Sequence, residues 1–513
     1  MPFRSRHRTA ARMSEVERLA RGVLLVGFDG ISLDGDVARH FERAQFAGYV
    51  LFARNAGTLA GVRSLTDCLR CLHGVPPVLA VDQEGGRVAR LHEGIETIPP
   101  MMALGAASDP ILARDAGQQT GFDLRRAGFT VNFAPVIDLA REKCDTAIGT
   151  RSFGSDLART VLLARAFASG LEDQGIIATF KHFPGHGSTA ADSHLGLPEV
   201  DLDERTFRER DLAAFAAVAE SASAIMAAHI VARAFDDRSA ATLSQALLVR
   251  VLREDFRFQG VCFTDCMQMD AIAQTIGTVP GIVAAIAAGA DCALVSHDFE
   301  VAVEAADAIV RAVEKGALPY ARLAQAFGRI AALRERSAPP LDLDAAHLHR
   351  GIGRRIARNA ITVIRGIAHA DPTASIVLSF ESATSEGAAG LHEHHARLDA
   401  QAPALATLVA PLAPTDSERD QALAAIALSG RRPILLLRRA HVYPEQARTA
   451  ADTIARFPDA VVVSTREPYD CALFPQARHL IAAYGDDDAS MGGIADVLFG
   501  NAVATGTLPV RIA

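Results

Sequence analysis

Eight short apolar runs, separated by stretches with helical periodicity, restrict the fold of this 513-residue chain more than any other feature. Helical periodicity is clearest at residues 157–174 and 205–221. Continuous apolar strands that alternate with helices are typical of parallel sheets buried on both faces. Eight such units predict a (β/α)8 barrel of the TIM type. The runs begin at Gly22, Gly48, Pro77, Thr130, Ile176, Ser223, Gly260 and Cys292.

Polar or chemically reactive residues follow nearly every one of these runs. In chain order they are Asp29, Arg54 with Asn55, Asp82 with Glu84, Asp138, Lys181 with His182, His229, Asp265 and His297. Enzymes built on such barrels place their sites at the C-terminal ends of the strands. Strands that served only stability would not need this arrangement, so the pattern predicts a catalytic site at that end of the barrel.

A second domain is predicted after a polar, proline-containing break at residues 336–351. Six further apolar runs follow it: ITVIRG, SIVLSF, TLVAPLA, PILLLRR, AVVVST and HLIAAYG. Helical segments between several of them favour a smaller α/β sandwich of ordinary domain size. These runs are not followed by comparable clusters of catalytic residue types. We therefore predict a catalytic barrel at residues 14–335, a linker at 336–352 and an α/β sandwich at 353–513.

The composition limits which cellular compartment and which classes of partner we expect. A formal net charge of -8 and a pI near 6.1 favour neither nucleic acid nor an anionic membrane as a partner. Seven cysteines, an odd number, fit a reducing compartment better than a disulfide framework. The apolar run Val23–Val26 is too short to span a membrane or to act as a signal. We expect a cytoplasmic protein whose translation starts at Met1 or Met13.

The most informative motif is KHFPGHG at residues 181–187, which continues to Asp192-Ser193-His194. Its proline and glycines exclude a regular helix and indicate a loop after a buried strand. Asp192 and His194 alternate across Ser193, so the two side chains can face each other. A carboxylate bonded to one ring nitrogen fixes the imidazole tautomer and leaves the other nitrogen for proton transfer. The alternative is a turn that uses Asp192 only as a cap.

Three other segments carry polar groups suited to sugar chemistry. Asp265, in FTDCMQMDAI, stands at the end of the seventh run, where a carboxylate can attack an anomeric carbon or stabilise an oxocarbenium ion. Taken alone, Asp265 fits equally well as the N-cap of the next helix, and we assign Asp270 to the surface of that helix. VDQEGGRVAR at 81–90 and IGTRSFG at 148–154 supply groups that can bind sugar hydroxyls.

Together these motifs resemble glycoside hydrolase family 3, in particular its β-N-acetylglucosaminidase branch, over most of the first ~335 residues. The resemblance implies that Asp265 is the nucleophile and that His194, partnered by Asp192, is the acid/base. It implies that the terminal N-acetylglucosamine is held by Asp82, Arg90, Arg151, Lys181 and His182. Arg87 and His186 are assigned to loop support. No metal ion or other cofactor is implied.

Two positions depart from the family pattern, Ser188 and Cys266, and they affect the expected substrate preference. The implied reaction is a retaining double displacement on N-acetylglucosaminides, with muropeptides or chitooligosaccharides as natural substrates. The absence of tryptophan favours a small pocket for one sugar unit. The natural leaving group, the oligomeric state and the role of the second domain stay open.

Four alternatives stay open at this stage. Phosphate could replace water, which would make the protein a phosphorylase on the same fold. A β-glucosidase is possible on that fold, although the Asp-Ser-His motif argues against it. His182, His186 and His194 with Asp192 could form the site of a metal-dependent hydrolase. The protein could also bind sugar without catalysis.

Overall fold

The N-terminal part of the chain is a closed barrel of eight parallel strands. The computed structural model describes residues 13–33, 35–141, 148–189, 197–367, 369–381, 396–500 and 502–512. Each barrel strand overlaps one of the eight predicted apolar runs, which confirms the predicted fold class. The strands are β1 (Leu24–Val26), β2 (Gly48–Leu51), β3 (Val78–Val81), β4 (Val131–Asn132), β5 (Ile177–Phe183), β6 (Ala224–Ala227), β7 (Val261–Cys266) and β8 (Cys292–Val295).

Helices cover the outside of the barrel. The periodicity at residues 157–174 corresponds to a single helix, Leu157–Asp173. The stretch at 205–221 instead divides at Arg210, whose φ of -112° and ψ of -84° lie outside the helical region. The barrel helices are Glu15–Arg21, Gly35–Ala44, Leu59–Cys71, Met101–Ala107, Pro110–Arg126, Leu157–Asp173, Glu204–Glu209, Asp211–Val218, the π-helix Ala246–Asp255, Asp270–Ala273, Thr278–Ala288, Phe299–Glu314 and Tyr320–Glu335.

The second domain is a six-stranded mixed sheet with helices, as the six later apolar runs predict. Its strands lie in the order β9-β14-β13-β12-β10-β11, and β9 is antiparallel to β14 while the other pairs are parallel. The strands are β9 (Thr362–Arg365), β10 (Ser375–Glu381), β11 (Ala406–Pro411), β12 (Arg432–Leu437), β13 (Val461–Ser464) and β14 (His479–Ala482). The helices are Ile352–Ala360, Asp416–Ser429, Pro444–Arg456 and Asp488–Leu498.

The segment predicted as a linker runs along a barrel helix. Arg125 Nε donates a hydrogen bond to the Pro339 carbonyl oxygen at 2.7 Å, and Arg126 Nη2 donates to that of Leu343 at 2.6 Å. These charge-assisted bonds fasten the connection to helix Pro110–Arg126. The domain boundaries at 335 and 353 stay a prediction. In the part of the chain that the structure describes, no helix is both long enough and apolar enough to cross a membrane.

Candidate active site

A cavity of about 350 Å³ opens at the C-terminal ends of the barrel strands. It brings together residues from distant parts of the chain because parallel strands all end at the same edge. Six of the eight predicted site residues line it: Asp82, Arg90, Arg151, Lys181, His182 and Asp265. The other two, Asp192 and His194, lie outside the described residues, so their position stays a prediction.

Asp265 lies at the end of strand β7 and is partly buried. Its Oδ1 accepts a hydrogen bond from the Cys266 amide at 2.7 Å. The Cys266 carbonyl oxygen in turn accepts a bond from His229 Nε2 at 2.9 Å, and His229 Nδ1 accepts from the Thr242 hydroxyl at 2.8 Å. Both nitrogens of the fully buried His229 are therefore used to fix the backbone that carries Asp265.

A buried network of charges forms the floor of the cavity. Lys181 Nζ lies 2.7 Å from Asp82 Oδ1 and 2.6 Å from Glu84 Oε1. Arg151 forms a two-point ion pair with Glu84, with both nitrogen–oxygen distances at 2.8 Å. Burial alone would raise the pKa of Glu84, but the charges of Arg151 and Lys181 hold it far below its usual range. Glu84 is therefore an anion that neutralises two buried cations.

His182 is held from both sides by this network. Its Nδ1 donates to Asp138 Oδ2 at 2.7 Å, and its Nε2 accepts from Arg151 Nη2 at 3.2 Å. Asp138 also accepts the backbone amides of His182 and His186, at 3.1 and 2.7 Å. Because a carboxylate accepts at one nitrogen and a guanidinium donates at the other, the ring is the neutral Nδ1–H tautomer.

The loop after strand β5 packs closely on its neighbours. A side chain at Gly187 would collide with the backbone of Leu139, and Gly185 has a φ of +126°, which favours glycine. Ser188 donates its hydroxyl to Asp211 Oδ2 at 2.8 Å. Burial raises the pKa of Asp211 to about 6. Ser188, one of the two departures from the family pattern, thus ties this loop to helix Asp211–Val218.

We expect His186 to make stability fall as the pH drops below neutrality. Burial lowers the pKa of His186 to about 4 from its ordinary 6.5. A group whose folded pKa is depressed contributes stability above its unfolded pKa and loses it as the pH falls toward the folded value. The free energy of unfolding should therefore fall by about 2 kcal/mol more in the wild type than in His186→Gln between pH 7 and pH 5. Urea unfolding of both proteins at both pH values measures this difference. An equal change in the free energy of unfolding in the two proteins would contradict the prediction.

Two phenylalanines, Phe52 and Phe133, give the cavity an aromatic surface. The Arg90 guanidinium lies 5.8 Å from the centre of the Phe52 ring, and its Nη2 lies 3.7 Å from Asp82 Oδ2. Charged groups that face an aromatic surface suit a sugar, which has polar edges and apolar faces. The cavity is at the small end of the usual range for ligand pockets, which suits a single sugar unit.

The second domain contacts the loops that carry two of the motifs. Glu467 lies directly beside Gly149, which precedes Arg151 in its loop. Burial would raise the pKa of Glu467, but Arg87 of the barrel, Arg439 and Arg466 lower it. The hydroxyl of Tyr469 donates to the Arg141 carbonyl oxygen at 2.7 Å. The second domain therefore contacts loops near the cavity, and the loop-support role of Arg87 stays a prediction.

Sequence reasoning did not assign roles to Glu84 and Asp138, although it noted both among the residues that follow strands. Glu84 could have been recognised as a site residue from the alternation of side chains in an extended chain. Positions 82 and 84 then lie on the same face. For Asp138 the signal was the need of His182 for a carboxylate partner. Among the described residues there is no group of three potential metal ligands, and both ring nitrogens of His182 are bonded to protein groups.

Sequence comparisons relate the barrel to known proteins. The sequence profile of the glycosyl hydrolase family 3 N terminal domain matches residues 24–333. A β-hexosaminidase of Pseudomonas aeruginosa is 37% identical over 282 residues, which are 54% of this chain and 83% of that protein.

Two solved structures extend the similarity to the fold. A family 3 β-N-acetylglucosaminidase from Paenibacillus sp. str. FPU-7 superposes with a TM-score of 0.91 at 30% identity, over 98% of this chain and 99% of that one. NagZ from Neisseria gonorrhoeae, solved with N-trifluoroacetyl-D-glucosamine, superposes with a TM-score of 0.56 at 29% identity, over 66% of this chain and 97% of its own. The chain therefore belongs to glycosyl hydrolase family 3 and is a glycoside hydrolase.

Proposed function

We propose that this protein is a retaining, exo-acting β-N-acetylglucosaminidase that releases a terminal N-acetylglucosamine. The observation that carries the proposal is the position of Asp265 at the wall of a one-sugar cavity whose floor is the Lys181–Glu84–Arg151 network. Lys181 and Glu84 are only 2% and 1% exposed, so the cavity ends at buried charges. In the described part of the cavity this closed end favours entry by the terminal sugar unit, and therefore exo cleavage.

The proposed reaction has two displacements at the anomeric carbon. In the first, the Asp265 carboxylate attacks that carbon while His194 gives a proton to the departing oxygen. The glycosidic bond breaks and a glycosyl ester of Asp265 forms. In the second, His194 takes a proton from water, whose oxygen attacks the same carbon and releases the Asp265 carboxylate. Asp192 orients His194 throughout, as the spacing of the two residues and the resemblance suggest.

Lys181, Asp82, Arg90, Arg151 and His182 are proposed to hold the hydroxyls and the acetamido group of the sugar. The ion pairs among them hold these groups in place before the substrate arrives, which reduces the entropy lost on binding. The relatives named β-hexosaminidase and NagZ support N-acetylhexosamine as the terminal sugar. We propose muropeptides of the cell wall as the natural substrates, in the cytoplasm.

Product analysis tests the proposal. The protein should hydrolyse 4-nitrophenyl N-acetyl-β-glucosaminide at least about a hundredfold faster than the matching β-glucoside, because the acetamido group adds bonded contacts. Proton NMR during the reaction should show the β-anomer of free N-acetylglucosamine first. A sugar 1-phosphate formed in phosphate buffer would assign the phosphorylase reaction instead. If the protein cleaved neither glycoside, an enzymatic function would be contradicted.

A further inference from the structure

A second cavity, of about 830 Å³, lies outside the sugar site and is lined by four arginines. We call it the arginine cavity. Arg141 follows strand β4, Arg159 lies in the first turn of helix Leu157–Asp173, Arg210 separates two helices, and Arg511 is in the C-terminal tail. Among the residues that the structure describes, Asp156 is the one acidic side chain in the lining. Arginines therefore outnumber carboxylates in the described lining.

The described residues do little to neutralise the charges of Arg141, Arg159 and Arg210. No described carboxylate lies within ion-pair distance of Arg159, whose side chain is partly exposed, or of Arg141. Arg141 Nη1 donates to a neutral acceptor, the Ser188 carbonyl oxygen, at 3.1 Å. Arg210 lies 3.9 Å from Asp211, and that carboxylate already accepts the Ser188 hydroxyl at 2.8 and 3.0 Å. Like charges that share a cavity in this way repel each other and attract an anion.

The backbone adds to the attraction. Helix Leu157–Asp173 has 17 residues and begins at the cavity, so its dipole presents a partial positive charge there. Asp156 is the N-cap of this helix, and its Oδ1 accepts the Arg159 amide at 2.7 Å. The Asp156 carboxylate is therefore already bonded to the end of the helix.

The cavity shares two loops with the sugar site. Arg151 faces the sugar cavity, and Ser155, four residues later, lines the arginine cavity. His186 likewise lines the sugar cavity, whereas the carbonyl of Ser188 is bonded to Arg141. The two cavities are therefore neighbours that share these loops.

We propose that the arginine cavity is an anion-binding subsite that takes a carboxylate or a phosphate group. Guanidinium groups bind both through paired hydrogen bonds. The anion is either part of the leaving group of the substrate or a free ion. The first case rests on the proposed function and the second does not.

The test uses the full-length protein, the variants Arg159→Gln and Arg210→Gln, and the control Arg238→Gln. Arg238 is 90% exposed and does not line the cavity. One arm compares two N-acetyl-β-glucosaminides, of 4-nitrophenol and of 3-carboxy-4-nitrophenol, which differ by one carboxylate. The other arm titrates inorganic phosphate by calorimetry and needs no catalysis.

Binding of a leaving-group anion predicts that each cavity variant raises KM about tenfold for the carboxylate substrate only, because it loses one charge-assisted contact. Binding of a free ion predicts that the Kd of phosphate rises about tenfold, with no discrimination between the two glycosides. Arg238→Gln should change neither quantity. If no cavity variant alters carboxylate discrimination or phosphate binding, the proposal is wrong. If the wild-type protein bound phosphate but hydrolysed neither glycoside, only the proposed function would be overturned.

Discussion

Replacing Asp265 with alanine is expected to lower kcat at least about 10⁴-fold without unfolding the protein. The carboxylate is the proposed nucleophile, and the two other carboxylates in the described cavity lining, Asp82 and Glu84, are both paired with Lys181. Removing it leaves only direct attack by water, without the covalent intermediate. Steady-state kinetics with the 4-nitrophenyl glycoside and a far-ultraviolet circular dichroism spectrum measure the two parts of this prediction.

Asp270→Ala is the matched control, because Asp270 is exposed at the first residue of the next helix. That variant should keep kcat within about twofold, as surface substitutions usually do. Azide distinguishes a nucleophile from a residue that only supports the fold. In Asp265→Ala it should restore turnover and yield the α-glycosyl azide, because a small anion can attack from the vacated side. Near-normal activity of Asp265→Ala without azide would refute the assignment.

Replacing Glu84 with glutamine is expected to destabilise the barrel by about 4 kcal/mol. Glu84 is 1% exposed and forms ion pairs with both Lys181 and Arg151, so the substitution removes a counter-charge that the two buried cations share. Because both cations also line the sugar cavity, kcat/KM should fall about a hundredfold as their positions shift. Chemical denaturation measures the stability change, and the 4-nitrophenyl glycoside measures the loss of activity.

Glu209→Gln is the comparison for this experiment. Glu209 also forms an ion pair, with Arg205, but both side chains are largely exposed. Solvent screens such a pair, so the variant should unfold at the wild-type denaturant concentration within experimental error. If Glu84→Gln and Glu209→Gln behaved alike, the buried network would not have the structural importance that its geometry suggests.

The barrel could be predicted from the sequence because its strands are buried on both faces. Such strands contain continuous apolar runs, and strand β5, for example, overlaps IIATFK and is buried at every residue from Ile177 to Phe183. The break at Arg210 was not predictable from the sequence, because no proline or glycine marks it. The break places Asp211 where it can accept the Ser188 hydroxyl, which is a tertiary contact.

Part of the site was predictable for a similar reason. Parallel strands end at one edge, so Asp82, Lys181 and Asp265 were expected to meet although they are far apart in sequence. Which charges neutralise which was not predictable, since pairing depends on side-chain directions across several strands. Glu84 therefore gained its importance only from the three-dimensional arrangement. The same limit applies to Arg438 and Arg466, which both pair with Asp486 at strand ends where the sequence indicated no cluster.

Trapping the glycosyl-enzyme tests the central claim most directly, because it identifies the atom that attacks the sugar. The protein is incubated with an activated 5-fluoro N-acetylglucosaminyl fluoride, which slows both displacements, and is then digested and mapped by mass spectrometry. We predict one glycosyl group, attached through an ester to Asp265, and no adduct in Asp265→Asn. A glycosyl group on another residue, or continued turnover with no covalent adduct at any position, would contradict the account.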